Sequence, residues 1–270
     1  MKLGGLDISK LYLGSNEVSK AYLGDNIVFQ AGGGGIPTNG LQFYIDSTNA
    51  ESYSGDGTNA TDLSPNNYDF QLYNGVVFQD FQPKTFVFDG FMQYMEAYGP
   101  GPGMGTNSIT INAWINKGFG SMDATIAGRM EPEYSGSPDG SYGLMVSGSG
   151  NLQGFFKADN EPSYIQTHTS SSITPGQWLL ATIVFDRAGS MDIYINGVKQ
   201  ALADSGNISL YNGFSVTSMS NYYRFGAASY FGAADAYFEG SISQVIEYNR
   251  VLSEVEIQSI FNATRSYYGV

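Results

Sequence analysis

Carboxylates, amides and phenols stand out among the groups through which this 270-residue chain could do chemistry. The sequence holds 25 acidic residues and 20 tyrosines but one histidine and no cysteine. That inventory removes whole classes of mechanism. No thiolate nucleophile and no disulfide framework exist, and the single His168, in the polar run Thr167-His168-Thr169-Ser170, cannot build a zinc site of nitrogen and sulfur ligands. Two carboxyls about 5–5.5 Å apart would suffice for retaining glycoside hydrolysis, and alternate residues on one strand face can supply them. No strand-like segment here carries such alternating acids. Glu131-Pro132-Glu133 is broken by proline and runs into Tyr134-Ser135-Gly136-Ser137-Pro138, a loop signature. Glu254 and Glu256 stand where a helix begins, and capping together with the helix dipole explains them. The chain is therefore expected not to be an enzyme.

Binding is the chemistry the residues favour. A sugar needs an aromatic platform for its C–H faces and nearby amides or carboxylates for its hydroxyls, which is the usual mixture of apolar surface and a few placed polar groups. Three predicted loops combine them: Tyr134 to Tyr142 with Asp139, Asn160 to Tyr164, and Asn221-Tyr222-Tyr223-Arg224 with Tyr230-Phe231. The same tyrosines could instead cover strand edges or make subunit contacts.

The surrounding elements read as β-structure. Alternating apolar residues over Leu179–Phe185 and Met191–Ile195 predict two half-buried strands, and Asn196-Gly197 is a strong hairpin-turn signal because both positions tolerate positive φ. Over Ile109–Asn116, Ile109, Ile111, Ala113 and Ile115 share one face and Trp114 lies on the other. Trp178 opens the next strand and is expected in the core with Ile183, Phe185, Ile193 and Ile195. One helix is predicted: Ser253 and Glu256 form a capping box, Ile257, Ile260 and Phe261 form the apolar stripe behind it, and it is expected to cover one end of the domain. A net charge of −13 argues against a nucleic-acid partner, whose phosphates are bound by Lys and Arg. Met1–Asp7 lacks the apolar run of a signal peptide, and no segment approaches the roughly 20 apolar residues of a membrane helix, so neither export nor membrane insertion is expected.

These segments fall in an order that resembles the laminin-G-like, concanavalin A-like lectin/glucanase superfamily. Gly40–Asp46, Thr61–Asn67 and Phe86–Gly90 lie upstream; Gln177-Trp178, Phe185-Asp186, Ile193–Gly197 and Gly240–Ser253 follow. The resemblance implies an all-β fold, a two-sheet antiparallel jelly-roll sandwich with one short C-terminal helix, over residues 39–270, and a carbohydrate- or protein-binding role. It also implies calcium as a ligand at the loop rim, though none is required. By motif position Asp62, Asn66, Asn67 and Asp89 are candidates, with Asp235 and Glu239 before the closing strand. Calcium wants roughly six to eight oxygens, and no compact Asp-x-Asp-x-Asp-Gly loop supplies them. The favoured reading of Asp62 and Asp89 is as turn formers bonding local amides.

Ahead of the sandwich, Ile8–Asn16 recurs as Val18–Asn26 and begins again at Ile27, and Ala31-Gly32-Gly33-Gly34-Gly35-Ile36-Pro37 follows. The repeat over Ile8–Gln30 reads as a small three-stranded meander, too small to bury much alone; residues 1–30 are read as an attachment or oligomerisation module and residues 31–38 as a flexible tether. This build resembles virion structural proteins of tailed bacteriophages, made in the host cytoplasm. The implied role is a non-enzymatic virion surface, tail or head-decoration protein. Residues 1–30 would contact other virion subunits or further copies of the chain, and the sandwich would face host-surface glycans. A purely structural subunit and a glycan hydrolase are the alternatives.

Overall fold

The structure, a computed structural model, describes residues 35–98, 101–130, 139–204, 206–217, 222–230 and 233–270, together with the backbone of six short strands before residue 31. Two antiparallel sheets face one another. The eight-stranded sheet runs in the order Val77–Gln79, Thr85–Asp89, Glu239–Tyr248, Ile109–Lys117, Trp178–Phe185, Met191–Ile195 and Val198–Lys199, and Leu41–Asp46 also pairs with Glu239–Tyr248. The nine-stranded sheet runs Leu202–Asp204, Ile165–Ser172, Asn151–Lys157, Ser141–Val146, Ala124–Arg129, Arg224–Phe225, Tyr94–Ala97, Phe70–Tyr73 and Asn59–Ala60. This is the expected all-β sandwich, and the predicted strands fall within one residue of those observed. Asn196 and Gly197 have φ of 53° and 79°, the paired positive values that a tight hairpin turn requires.

Between the sheets lies an aromatic-rich core in which Phe43, Phe70, Tyr223 and Phe225 pack together, the rings of Phe70 and Phe225 stacked at 4.1 Å. Ile109, Ile111, Ala113 and Ile115 point into it, as their spacing predicts. Trp114 points the other way and is fully buried in a second cluster with Ile246, Leu252, Ile257 and Ile260.

That second cluster corrects the expected place of the helix. Glu254–Thr264 does not cap an end of the sandwich but lies on the outer face of the eight-stranded sheet, because that face too is apolar and must be covered. Its capping box is present as predicted: Glu256 N–H donates to Ser253 Oγ at 3.3 Å and Ser253 N–H donates to Glu256 Oε2 at 2.9 Å. Trp114 stacks on Tyr268 at 4.0 Å and donates Nε1–H to Thr264 Oγ1 at 2.8 Å. Trp178 is the misplaced tryptophan. It sits on this helix side, half-buried against Tyr268, and Ile195 is only partly covered, whereas Ile183, Phe185 and Ile193 are buried as expected. Before residue 31 the strands pair two by two, Lys2–Leu3 with Leu6–Asp7, Tyr12–Leu13 with Asn16–Glu17, and Lys20–Leu23 with Asn26–Gln30, and the residues that would join them into the anticipated three-stranded meander lie outside the described residues.

One carboxylate is sealed inside the sandwich. Glu247 faces the core from the strand Glu239–Tyr248, with Tyr142 Oη 3.2 Å from its Oε1 and the phenol of Tyr223 and the guanidinium of Arg129 beside it. Burial pushes its pKa up to about 8. The folded chain therefore keeps a proton that the unfolded chain releases above the ordinary carboxylate range.

Two predictions follow from this core. Trp114→Ala should cost about 3–5 kcal/mol in urea unfolding, and the half-buried Trp178 clearly less; equal losses would contradict the two-layer packing. Wild-type stability should fall as pH rises from about 4.5 to about 8 and then level off, whereas Glu247→Gln should lack that slope. Unfolding at pH 5, 7 and 9 should show the variant gaining on wild type by an amount on the order of 4 kcal/mol. A pH-independent difference would place the proton elsewhere.

Candidate functional site

The nine-stranded sheet buries one face in the core; its other face is covered over Ala124–Arg129, Ser141–Val146 and Asn151–Lys157, where Met130, Met145 and Phe155 form a further cluster, and is partly open over Phe70–Tyr73 and Tyr94–Ala97, where alternation sorts the side chains. Phe70, Leu72, Met95 and Ala97 point in, so Gln71, Tyr73, Tyr94 and Glu96 point out. Register then assembles a row that no single segment shows. Asn59 lies opposite Gln71, Gln71 opposite Glu96, and Glu96 opposite Arg224, which sets four polar side chains across four strands, about 14 Å. Tyr73 lies opposite Tyr94 beside that row, and their rings stack at 4.8 Å with an interplanar angle of 10°.

The centre of this surface is rigid. Arg224 is almost wholly buried; its Nε and Nη2 each lie 2.7 Å from Glu96 Oε2, and Nη1 donates to the Ala228 carbonyl at 2.9 Å. Its guanidinium carbon stands 4.8 Å from the Tyr94 ring centre and 5.9 Å from that of Tyr222, so a column of Tyr73, Tyr94, Arg224 and Tyr222 runs along the face. Tyr222 is 39% exposed and Tyr98 51% exposed, and they leave aromatic surface open at the margins. Tyr98 Oη donates to Asn59 Oδ1 at 2.8 Å and Tyr73 Oη to Gln71 Oε1 at 3.0 Å. Burial raises the pKa of both Tyr73 and Tyr94, so these phenols stay protonated and able to donate. Flat π-faces beside fixed amide, carboxylate and hydroxyl groups are the chemistry that holds a sugar ring.

Of the loop residues predicted to bind, Tyr222 belongs to this surface. Tyr223 does not, since alternation sends it inward to full burial, and Tyr142 is likewise buried beside Glu247. Neither offers a ring face to a ligand. Asp139 precedes the strand Ser141–Val146 and its carbonyl accepts from Lys157 Nζ at 3.3 Å. Asn160 forms a turn with φ of 62°, and Tyr164 stacks on Phe155 at 5.1 Å. The loops holding Asp139 and Asn160 are brought together by Asp159, which accepts from Gly140 N–H at 2.7 Å and Thr217 N–H at 2.8 Å. Tyr134, Asn221 and the side chain of Tyr230 lie outside the described residues, as does the pair Glu131 and Glu133. His168 pairs with Asp204 at 2.9 Å at the sheet edge.

The calcium candidates do not converge on a cation. Asp62 accepts four bonds, from the backbone N–H groups of Tyr44, Ser64 and Tyr68 and from Ser64 Oγ, and so has no lone pair directed at a ligand. Asp89 Oδ1 takes the N–H groups of Phe91, Met92 and Gln93, and these bonds hold its pKa low. Both are turn formers, and their donor sets do not fit a calcium shell. Asn66 is likewise occupied, donating Nδ2–H to the Leu41 and Gln42 carbonyls, and Asn67 donates to the Pro65 carbonyl. Asp235 and Glu239 line a separate cleft of about 300 Å³ with Asp123 and Tyr237. No cluster of three or more acidic or histidine ligands placed for a metal occurs among the described residues.

Arg224, like Tyr222, belongs to a loop that the sequence singles out, whereas Asn59, Gln71, Tyr73, Tyr94, Glu96 and Tyr98 were missed. A signal for part of them exists in Phe70-Gln71-Leu72-Tyr73 and Tyr94-Met95-Glu96-Ala97, where tyrosine and polar residues share one parity.

Comparison with known proteins bears on the fold. No curated protein sequence matches. Among solved structures, the binding domain of Paraclostridial Mosquitocidal Protein 1 superposes with a TM-score of 0.65 at 19% identity, covering 85% of this chain and 55% of that one. Domain 4 of AbnA, a GH43 extracellular arabinanase from Geobacillus stearothermophilus solved in complex with arabinotriose, gives 0.60 at 17% identity, covering 83% of this chain and 99% of that one. The binding domain of Botulinum Neurotoxin DC in complex with SialylT gives 0.59 at 16%, covering 84% and 52%. This chain spans about half the length of the two toxin fragments. The family profile of the concanavalin A-like lectin/glucanases superfamily, in its laminin G form, matches residues 88–258, and with the two-sheet sandwich described above the chain belongs to that superfamily.

Proposed function

We propose that the sandwich is a non-catalytic glycan-recognition module that binds through the outer face of its nine-stranded sheet. The observation that carries the reading is the stacked Tyr73–Tyr94 pair beside the ordered row Asn59, Gln71, Glu96 and Arg224. Preorganisation supports it, since ligand affinity is lost mainly to ordering groups that are loose beforehand. Two solved structures of the same fold hold arabinotriose and SialylT, which is consistent with sugar binding on this scaffold.

The setting we propose is a virion surface or tail subunit, with residues 1–30 as the attachment module and 31–38 as the tether. Its support is the period-ten hairpin repeat followed by a glycine run. Host-surface glycans are the proposed ligands and other virion subunits the proposed partners.

On an array of neutral, aminated and sialylated oligosaccharides, Tyr222→Ala should weaken binding at least tenfold, about 1.4 kcal/mol, with an unchanged melting temperature. Arg224→Ala is a poor probe, because breaking a buried ion pair typically costs about 3–5 kcal/mol of stability. No oligosaccharide bound at millimolar concentration by the parent chain would leave a purely structural subunit as the better reading. For the setting, deletion of Met1–Gln30 should abolish incorporation into particles while leaving the sugar affinity of the sandwich unchanged. Normal incorporation of the truncated chain would contradict the attachment role.

A further inference from the structure

Beside the proposed sugar-binding face, the three most exposed large apolar side chains among the described residues stand around one cleft. Phe119 is 82% exposed, Met122 81% and Phe91 78%. Phe91 and Met122 line the cleft of Asp123, Asp235 and Glu239, and Phe119 is fixed at its margin by its N–H, which donates to Glu239 Oε1 at 3.2 Å. A patch of this kind rimming a depression is a docking feature rather than ordinary surface. Its charge is one-sided. The lining cation, Lys117, is buried and donates to the Gly118 and Gly120 carbonyls, so its ammonium is turned into the loop. Asp123, Asp235 and Glu239 each accept one backbone N–H and form no ion pair among the described residues. The complementary partner is a cation with apolar neighbours.

The chain carries such a segment in duplicate. In the sequence, Lys10-Leu11-Tyr12-Leu13 and Lys20-Ala21-Tyr22-Leu23 each place a lysine two residues before a tyrosine. They lie in or next to the strands Tyr12–Leu13 and Lys20–Leu23, whose two-stranded ribbons are too small to be stable without a further surface. We propose that the cleft receives the Lys-x-Tyr-Leu segment of a second copy of the chain, lysine toward the acidic floor and tyrosine against Phe91, Phe119 and Met122. A second copy is favoured because each chain carries the segment twice and the cleft once. Such a contact is head-to-tail, and it closes into a ring or continues as a filament.

Sedimentation of the full chain over a range of concentrations tests this. The parent should self-associate, and raising salt from 0.05 to 0.5 M should weaken association at least tenfold, since rim charges are screened. Phe119→Ser with Met122→Ser, or Lys10→Glu with Lys20→Glu, should weaken it at least tenfold without changing the melting temperature. Combining the lysine reversals with Asp235→Lys and Glu239→Lys should restore it, which general destabilisation would not do. Tyr222→Ala should leave association unchanged, so failure here is separable from failure of the sugar site. A parent monomeric at all concentrations, association indifferent to the cleft variants, or a monomer whose residues 1–30 become protease-sensitive only when the cleft is altered would each overturn the proposal. The last result would assign the cleft to the chain's own segment.

Discussion

The rest of the structure depends on the eight-stranded sheet being apolar on both faces. Ile109–Lys117 and Trp178–Phe185 are buried nearly residue by residue, so the sheet needs two covers. The nine-stranded sheet is one. The helix Glu254–Thr264 with Tyr268 is the other, and its fit is centred on Trp114, whose ring stacks on Tyr268 and whose indole N–H reaches Thr264. Arg250 pins this cover. It makes a two-pronged ion pair with Glu256 at 2.7 and 3.0 Å and donates to the Asn39 carbonyl at 2.8 Å, which ties the entering chain to the helix start. Through that pair Glu256 is held down at about 2, well below the usual carboxylate range.

Because the helix is committed to the eight-stranded sheet, the outward side chains of Phe70–Tyr73 and Tyr94–Ala97 on the opposite sheet stay partly exposed. The polar row at its centre is not a source of stability in itself. Burying the guanidinium of Arg224 and the carboxylate of Glu96 costs desolvation that their attraction roughly offsets. What the pair contributes is fixed geometry, with Tyr94 and Tyr222 on the planar cation and neighbouring amides in register. Recognition elements that hold still before the ligand arrives lose less entropy on binding.

The core itself is not uniformly oily. Glu247, enclosed with Tyr142, Tyr223 and Arg129, is neutral at physiological pH because burial opposes its ionisation. Two tyrosines that look like surface binders by sequence are drawn inward to surround it. The trade is visible in burial: the phenols that solvate this group are not available to a ligand.

Sequence alone determined the elements whose signals are local. Ser253 and Glu256 define a helix start through their own hydrogen bonds, Asn196-Gly197 defines a turn through its own dihedrals, and the two-residue period of Ile109–Ile115 defines which side chains share a face. Asp62 and Asp89 were legible as turn formers because the amides they bind lie mainly within a few residues. Tertiary structure alone decided what crosses between segments. Whether Trp114 or Trp178 is the buried tryptophan depends on where the helix lands. Whether Tyr222 or Tyr223 is open depends on the parity of a two-residue strand, and one step of register reverses it. The polar row joins residues 59, 71, 96 and 224, and no spacing along the chain could announce it, because hydrogen-bonded register between distant strands sets which side chains become neighbours.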